Sequence, residues 1–413
     1  MSTSLSKLLP KPLSVIHCHF LCEYGSLNGG EQSLLAVLPL LREQGVRPNV
    51  LAPTEGNFIA ALRNAGIETT PLPFAQTDSL EHKRRRLAGL LGSLRGSGRL
   101  DLLHANSLSM GRLSGPVVAA MRTPSIAHLR DIIKLPNAAV DDLNRHSLLL
   151  AVSDATRRFH LAQGIDAERC RTLYNGIDLE RFKPGEATGY LHRELGLPDH
   201  PEDRAPLLAT IGQIGLRKGQ DTLFDALDIL FGEYGKHGKY HDWFRCPPHL
   251  LLVGRRWSEK AESREFEQRL RARAEHPPLK GHVHFLGVRD DIPALLREVT
   301  LLIHPARQEP LGRVLLEAAA SACPVIASAV GGTTEIFPTD LEAAATFPPN
   351  NSVFLAKVIC ELLDSPVQRR KMGTSAREYA ARTFDAHAAT ESLIRLYRGV
   401  CSEAGPVCRP AAR

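Results

Sequence analysis

The stretch HPARQEPLGRVLLEAAA, residues 304–320, decides the fold of this chain. Before it, the apolar run at residues 299–303 predicts a buried strand that leads into a polar turn. After the turn, Gly312 opens a predicted helix whose apolar side chains suit packing against a sheet. A strand, a turn and a helix in this order form one repeat of an alternating α/β fold.

Two carboxylates lie on either side of the predicted helix start. Glu309 is in the loop before the helix, and Glu317 is within it. The backbone N–H groups at residues 311–314 fall at the helix start, where an anion is favoured. These amides suit a phosphate, and the carboxylates beside them can accept hydrogen bonds from hydroxyl groups. A nucleotide sugar has both kinds of group, so the stretch predicts a nucleotide sugar as ligand. The spacing alone also permits a structural interpretation, in which Glu309 caps a turn and Glu317 is stabilised near the positive end of the helix dipole.

The length and composition of the chain describe a globular protein of two domains. Its 413 residues exceed one ordinary core, and its composition is 23% charged and 43% hydrophobic. The net charge of +6 comes from interspersed residues of both signs, so nothing indicates a nucleic-acid partner. This charge fits anionic small ligands, or weak attraction to an anionic membrane surface.

The cysteines and the apolar segments indicate in which cellular compartment the protein works and whether it binds a metal or cofactor. Eight cysteines are scattered along the chain without the spacing of metal ligands, which predicts reduced thiols in a cytoplasmic protein, with no metal and no cofactor. No run of 18 apolar residues occurs, so no membrane-spanning segment is expected. Residues 1–13 lack the apolar centre of a signal peptide and are expected to be a loose tail.

Apolar strand patterns alternate with helical patterns along nearly the whole chain. This alternation predicts parallel sheets with right-handed crossovers, in which ligands bind beyond the carboxyl ends of the strands. We expect one Rossmann-like domain at residues 14–180 and a second at 206–384, joined by a Pro- and Gly-rich linker at 181–205. We also expect a helix at 385–401 that packs back on the first domain, and a disordered tail at 402–413.

Two glycine-containing turns follow predicted strands. Gly29 and Gly30 precede a helix in the first half, where they either let the backbone approach a ligand or form a plain tight turn. In the second half, the turn that begins at Gly212 carries Arg217 and Lys218 just before a helix. Fixed positive charge there fits a clamp for a diphosphate, with Lys as a point charge and Arg as a bidentate fork. A solvated basic turn is the alternative, and the Walker pattern is absent.

Several short motifs occur together in one order along the chain. They are NGG at 28–30, DLLH at 101–104, VSD at 152–154, YNGID at 174–178, RFKP at 181–184, RKG at 217–219, LVG at 252–254, FLG at 285–287, RDD at 289–291, the opening stretch, PVIA at 324–327 and GGTTE at 331–335. In this order they resemble glycosyltransferase family four, the retaining nucleotide-sugar transferases also described as glycosyl transferases group 1. The resemblance covers about residues 14–400. It implies the GT-B fold, in which two Rossmann-like domains with parallel sheets face each other across a cleft.

The resemblance also implies roles for individual residues. Glu309 would bind hydroxyl groups of the donor sugar near the reacting carbon, and Glu317 would hold the ribose hydroxyls. Lys218, with Arg217 nearby, would neutralise the diphosphate leaving group. The remaining donor-side residues, of which the last two would lie near the base, are Gly29, Gly30, Gly212, Leu311, Gly312, Arg313, Val314, Gly287 and Val288.

The chain departs from many members of this family at two positions. Gln213 stands where Arg commonly follows the first glycine of the clamp, and Arg130 stands where a strand commonly ends in His. Since that residue faces the sugar in relatives, the choice of acceptor or sugar is expected to differ. On the acceptor side we expect His104, Arg130 and Asn175, with a structural role for His104 as the alternative.

A predicted amphipathic helix at residues 80–94 carries the basic run from Lys83 to Arg86. Its apolar face is expected to pack on the first sheet, and its charges to form a solvated face. The alternative is a peripheral contact with the inner face of a membrane, near a lipid-linked acceptor.

Together these patterns predict a glycosyltransferase that moves a hexose from a nucleoside diphosphate sugar to a hydroxyl acceptor. The acceptor would be a saccharide or a lipid-linked saccharide, in polysaccharide or glycolipid biosynthesis. The departing diphosphate needs electrostatic stabilisation, which Lys218, Arg217 and the helix amides would supply. The resemblance implies a retaining reaction with no metal ion and no obligatory general base. Two alternatives are a nucleotide-sugar epimerase on the same fold and a catalytically silent nucleotide-sugar-binding subunit.

Overall fold

The computed structural model describes residues 15–234 and 246–403, which form two α/β units. Of these described residues, the first unit contains those up to Ala151, the segment Phe159–Leu173 and those from His387 onward. The second contains Val152–Arg158 and Tyr174–Ala386. Each unit is built on one parallel sheet, as the alternating pattern predicts. Within the described ranges, none of the helices combines the length and apolar character needed to cross a membrane.

The sheet of the first unit has seven strands in the order β3-β2-β1-β4-β5-β6-β7. Their bounds are β1 Ile16–Leu21, β2 Val46–Ala52, β3 Glu68–Pro71, β4 Leu102–Ala105, β5 Ser125–Leu129, β6 Leu148–Ala151 and β7 Cys170–Thr172. The helices between them are Gly29–Glu43, Asn57–Asn64, Leu80–Gly96, Leu108–Met121, Asn137–Leu143 and Asp154–Leu161. The chain passes from the second unit into the first within the last of these helices. Strands β4 and β6 are short and buried along their whole length, as expected when helices cover both faces of a parallel sheet. Apart from His104 in β4, their residues are apolar.

The sheet of the second unit has six strands in the order β10-β9-β8-β11-β12-β13. Their bounds are β8 Leu207–Ile211, β9 His249–Val253, β10 Val283–Gly287, β11 Leu301–His304, β12 Val325–Ser328 and β13 Ala345–Phe347. The helices of this unit are Tyr190–Glu194, Gln220–Ile229, Ala261–Ala274, Ile292–Glu298, Arg313–Ala320, Thr333–Ile336, Ser352–Asp364 and Pro366–Thr383.

The strand orders locate one switch point in each sheet. In the first sheet, β1 lies between β2 and β4, so the connections leaving β1 and β4 run in opposite directions. In the second sheet, β8 lies between β9 and β11 in the same way. Ligands of doubly wound folds bind beyond the carboxyl ends of strands at such points. The glycine pair follows β1, and the basic turn and the 304–320 stretch follow β8 and β11.

The segment 181–205, predicted as a linker, instead belongs to the second unit. Phe182 is 2% exposed and Leu191 is fully buried in that unit's core. The carboxylate of Glu298 anchors the segment, because it accepts the N–H of Thr188 at 2.5 Å and that of Gly189 at 2.9 Å. The Pro and Gly content of the segment 181–205 correctly predicted that it has little regular structure. This content does not predict whether the segment is buried or exposed.

The predicted boundaries also differ at residues 174–180, which belong to the second unit rather than the first. The N–H of Ile177 donates to the carbonyl of Phe384 at 2.7 Å, and Ile177 is buried in the second unit's core. The strand predicted at 299–303 is displaced to Leu301–His304, because the preceding helix extends to Glu298.

The C-terminal helix Ala386–Glu403 extends beyond the predicted end of the ordered chain. Its residues from His387 onward belong to the first unit, where Leu393, Ile394 and Tyr397 lie in the core. Ser402, expected in a disordered tail, is therefore helical. Glu403, the next residue of that predicted tail, ends the helix. Residues 404–413 and the N-terminal tail at 1–13 lie outside the described residues.

Candidate active site

Strand β11 and the loops after β8 and β11 bring three polar side chains together in the second unit. Nζ of Lys218 lies 2.5 Å from Oε2 of Glu309, and Nε2 of His304 lies 2.8 Å from the same oxygen. The exposed side-chain fraction is 16% for Lys218, 8% for Glu309 and 3% for His304. A nearly buried carboxylate therefore receives an ammonium and an imidazole on Oε2, and Oε1 takes part in neither contact.

These contacts set the ionisation of Glu309 and the tautomer of His304. Burial would raise the pKa of Glu309, but Lys218 and the hydrogen bond from His304 outweigh it and hold the pKa well below its usual range. Burial lowers the pKa of His304, and Lys218 lowers it further against the opposing effect of Glu309. Since a carboxylate can only accept, the neutral imidazole must carry its proton on Nε2 and donate it.

The turn after β8 and the loop after β11 are joined by direct contacts. The N–H of Arg307 donates to the carbonyl of Arg217 at 2.8 Å, and Nη1 of Arg217 donates to the carbonyl of Gln308 at 3.3 Å. The guanidinium of Arg307 forms an ion pair with Asp221 at 2.8 Å. The predicted clamp residue Arg217 is exposed, and its backbone is part of the connection that holds the two loops together.

Gly219 allows these two loops to approach closely. Its φ is +65°, and a Cβ there would lie 2.0 Å from the carbonyl oxygen of Pro305. We expect Gly219→Ala to lower the free energy of unfolding by about 2 kcal/mol, because the left-handed backbone is strained by a side chain and Pro305 has to move. Urea denaturation measures this loss. In the matched variant Gly215→Ala, a Cβ meets nothing within 4 Å, so equal losses in the two variants would contradict the prediction.

The helix Arg313–Ala320 begins at the predicted position and carries the second carboxylate. Oε1 of the buried Glu317 lies 2.8 Å from Nε of Arg313, one turn earlier. Burial raises the pKa of Glu317, and the ion pair with Arg313 opposes this without reversing it. Gly312 turns the chain into the helix with a φ of +103°. The predicted residues 311–314 thus surround one helix start, where N–H groups favour an anion.

Gly212 and Gly254 follow the neighbouring strands β8 and β9, and Gly287 ends β10 beside them. The N–H of Gly254 donates to the carbonyl of Gly287 at 2.7 Å. The N–H of Gly212 donates to the carbonyl of Val253 at 2.8 Å. A Cβ on Gly254 would lie 1.9 Å from the carbonyl oxygen of Gly212. Val288 is 58% exposed. The predicted donor-side residues Gly212, Gly287 and Val288 therefore lie along one edge of the second sheet.

The remaining predicted residues are divided between the two units. Gly29, Gly30, His104 and Arg130 belong to the first unit, whereas Asn175 is a half-buried residue of the second. Within the first unit, a Cβ on Gly30 would lie 3.2 Å from Cδ of Arg130. The glycine pair and Arg130 are thus adjacent.

Arg130 is anchored on the residue that follows β4. Its Nε donates to the backbone carbonyl of Asn106 at 2.9 Å, and its Nη2 donates to the side-chain oxygen of Asn106 at 2.9 Å. Nδ2 of Asn106 in turn lies 3.5 Å from the carbonyl oxygen of Gly30. These three residues form one hydrogen-bonded group beyond the switch point of the first sheet.

His104 does not lie where an acceptor could touch it, in contrast to the acceptor-side prediction. It is 1% exposed, with Nδ1 2.7 Å from the Tyr397 hydroxyl and Nε2 3.0 Å from Nδ1 of His128. Nη2 of Arg130 lies 3.2 Å from that same His128 nitrogen. Because a guanidinium can only donate, His128 Nδ1 accepts, His104 donates to it from Nε2, and Tyr397 donates to His104. The structural alternative for His104 therefore applies.

Neutral His104 makes the stability of the first unit sensitive to acid. Burial, with a smaller effect of Arg130, lowers the pKa of His104 to about 3. Below about pH 6.5 the unfolded chain binds a proton that the folded chain does not, so stability falls as the pH drops. We expect His104 to contribute a loss on the order of 1–2 kcal/mol between pH 7 and about pH 5.

Urea denaturation at these two pH values checks this prediction. The variant His104→Asn should lose less stability on acidification than the wild type, since the depressed group is gone. The variant His387→Asn removes an exposed histidine of the same unit and should keep the wild-type pH dependence. An unchanged pH dependence in His104→Asn would show that another group is responsible.

The basic run from Lys83 to Arg86 lies in the helix Leu80–Gly96, which buries Leu87 and Leu91 as its pattern predicts. Each basic side chain makes a polar contact within the first unit. The contacts are Lys83 with the carbonyl of Gln76 at 2.5 Å, Arg84 with Asp142 at 2.6 Å, Arg85 with Glu81 at 2.9 Å and Arg86 with the carbonyl of Pro73 at 2.9 Å.

Two side chains of the site have no role in the sequence-based prediction. His304 ends β11 and donates to Glu309, and Arg307 ties the loop to the preceding turn. The position of His304 at a strand end, five residues before the carboxylate, was a usable signal. Arg307 gave none, because its partner Asp221 is distant in sequence. In residues 15–234 and 246–403, no group of three or more His, Cys, Asp or Glu residues could hold a metal ion.

Two family models match the chain, one in each half. The model for glycosyltransferase family 4 matches residues 27–181. The model for glycosyl transferases group 1 matches residues 198–379, which include Lys218, Glu309 and Glu317.

Curated relatives match over part of the chain. The lipopolysaccharide glucosyltransferase WaaG of Escherichia coli (strain K12) is 29% identical over 198 residues, which are 48% of this chain and 48% of WaaG. A D-inositol 3-phosphate glycosyltransferase of Corynebacterium glutamicum is 28% identical over 218 residues, 52% of this chain and 48% of the relative. The chain thus spans about half the length of the curated relatives it matches.

Solved structures are similar over nearly the whole chain. Anabaena Alr3699/HepE in complex with UDP-glucose has a TM-score of 0.78 at 23% identity, covering 92% of this chain and 99% of HepE. The structure of WaaG has a TM-score of 0.68 at 20% identity, covering 92% of this chain and 100% of WaaG. These likenesses establish the GT-B fold, and the two family models establish that the chain belongs to glycosyltransferase family 4.

Proposed function

We propose that this protein transfers a hexose from a nucleoside diphosphate sugar to a hydroxyl group of a saccharide or lipid-linked saccharide. The observation that carries the proposal is the ionised carboxylate of Glu309, held by Lys218 and His304 beyond the switch point of the second sheet. A carboxylate in this state accepts hydrogen bonds from sugar hydroxyl groups. The adjacent ammonium and helix start suit the diphosphate of the same donor.

Lys218 and Arg217 act in the proposal on the leaving group. Negative charge grows on the diphosphate as the bond between the anomeric carbon and the phosphate oxygen breaks. Fixed positive groups and helix amides stabilise this charge without having to reorganise during the reaction. We propose that they make a metal ion unnecessary.

The acceptor hydroxyl attacks, in this proposal, on the face of the sugar that the diphosphate leaves. A bond forms between the acceptor oxygen and the anomeric carbon, and the departing phosphate oxygen takes the hydroxyl proton. The configuration at the anomeric carbon is retained, and no side chain has to serve as nucleophile or general base.

The names of similar proteins suggest the first ligands to test. The HepE structures contain UDP, glucose or UDP-glucose, and WaaG is named a lipopolysaccharide glucosyltransferase. We therefore propose UDP-glucose as the first donor and a saccharide or lipopolysaccharide fragment as the first acceptor, with GDP- and ADP-sugars as comparisons.

The test is product analysis by NMR with each donor, with and without acceptor, in the presence of EDTA. We expect acceptor-dependent release of the nucleoside diphosphate and a glycoside with the anomeric configuration of the donor. An epimerised donor sugar formed without acceptor would instead establish an epimerase. Donor binding without turnover, over a broad set of acceptors, would favour a catalytically silent subunit. Loss of transfer in EDTA, restored by a divalent cation, would overturn the metal-independent mechanism.

A further inference from the structure

The backbone around Glu309 is held from two sides by residues that the proposed reaction does not use. On one side, the N–H of Gly332 donates to the carbonyl of Glu309 at 3.0 Å. On the other side, the hydroxyls of Ser153 and Thr156 both donate to the carbonyl of Pro310. The distance from Oγ1 of Thr156 to this carbonyl oxygen is 3.2 Å. Ser153 and Thr156 are fully buried. Two consecutive carbonyls of the loop are therefore tied to distant parts of the chain.

Ser153 and Thr156 are themselves fixed at the start of the helix Asp154–Leu161. Oγ of Ser153 accepts the N–H of Thr156 at 3.0 Å and so caps the start of the helix. The carboxylate of Glu335 accepts the N–H of Asp154 at 2.7 Å and that of Ala155 at 2.8 Å. The first three amides of the helix are thus satisfied, and the carboxylate lies at the positive end of the helix dipole.

A third donor holds the Glu335 carboxylate in place. The hydroxyl of Tyr174 donates to its Oε2 at 2.8 Å, and burial together with this contact raises the pKa of Tyr174. Gly332, three residues earlier, packs directly on the loop, since a Cβ there would lie 2.6 Å from Cα of Leu311. The short segment from Gly332 to Glu335 therefore supports the loop in two ways. Gly332 packs on the loop directly, and Glu335 holds the helix start that carries Ser153 and Thr156.

We propose that Ser153, Thr156 and Glu335 are positioning residues for the donor sugar. They fix the Pro310 carbonyl, and through it the direction of the Glu309 carboxylate, which precedes it in the loop. A displacement of about 1 Å in such groups can cost about 10²-fold in rate, because the reacting atoms no longer meet correctly. The mechanism proposed above gives no role to the two motifs involved, VSD at 152–154 and GGTTE at 331–335. This inference rests on the proposed function.

The double variant Ser153→Ala/Thr156→Val removes both hydroxyls with little change in volume. We expect kcat for transfer from UDP-glucose to fall about tenfold, and the Kd for UDP alone to change by less than about twofold, since UDP lacks the sugar. Thr156→Ser keeps a hydroxyl and should keep most of the wild-type kcat. Ser114→Ala, which removes a buried hydroxyl bonded to the carbonyl of Met110 in the first unit, should leave kcat unchanged.

A second measurement does not depend on activity. Hydrogen exchange of the amides of Leu315 and Leu316, which donate to the carbonyl of Gly312, should be faster in the double variant than in the wild type or in Ser114→Ala, because the loop before the helix is no longer held. A double variant with unchanged kcat and unchanged exchange would overturn the positioning role. So would a loss of kcat matched by an equal loss of UDP affinity. A wild-type protein without transfer activity would overturn the proposed function instead, and exchange would still decide whether these residues hold the loop.

Discussion

Replacing Glu309 by Gln is expected to lower kcat for sugar transfer by about 10³-fold, a loss typical of removing a central polar group from an active site. Gln has nearly the same size, so the loop keeps its packing, but it carries no negative charge and replaces one acceptor oxygen by an amide. Affinity for UDP is expected to stay the same or to increase. The reason is that Lys218 no longer shares its charge with a carboxylate 2.5 Å away.

Steady-state kinetics with UDP-glucose and calorimetric titration with UDP measure the two effects. The matched control is Glu342→Gln, which removes a glutamate paired at 2.5 Å with Lys371 in the same unit but 70% exposed. This control should keep wild-type kcat and UDP affinity. Turnover of Glu309→Gln at the wild-type rate under saturating donor would remove Glu309 from the active site.

Replacing Lys218 by Met is expected to lower kcat by about 10²- to 10³-fold, because the leaving diphosphate loses its nearest fixed cation. UDP affinity should fall as well, in contrast to Glu309→Gln. The opposite signs of the two UDP effects follow from one ion pair, in which Glu309 competes with the diphosphate for Lys218.

The same variant should acquire a pH dependence that the wild type lacks. Burial favours the protonated form of Glu309, and Lys218 is the first of the groups that oppose it. Without Lys218, the pKa of Glu309 rises, so residual activity should increase with pH across about pH 5 to 8 while the wild type stays flat. Lys371→Met, which removes the exposed partner of Glu342, serves as the control. A flat profile in Lys218→Met would show that His304 and Arg217 are enough to keep the carboxylate ionised.

The sequence predicted the order of strands and helices well, because short apolar runs and amphipathic periods report local structure directly. The helix Arg313–Ala320 begins directly after Gly312, as its pattern predicted. What the pattern could not predict were contacts between residues far apart in sequence. The ion pair of Lys218 with Glu309 joins residues 91 positions apart, and the local sequence of neither loop indicates it.

The sequence also did not predict which polar residues are buried. His104 follows an apolar run at a strand end, which is equally compatible with a ligand-facing and a buried position. Its true environment depends on Tyr397, which lies 293 positions later and supplies the hydrogen bond that makes burial tolerable. The segment 181–205 shows the same limit, since proline and glycine mark where helices break but not whether the chain is covered.

The C-terminal helix has a consequence for the order in which the protein can fold during synthesis. Tyr397 and Ile394 are 0% and 2% exposed in the core of the first unit, yet they are translated after the whole of the second unit. The second unit needs nothing beyond Ala386 and can therefore be completed earlier. The half of the protein that is translated first must wait for its closing helix, so translation that stops before this helix would leave an open apolar surface for chaperones to cover.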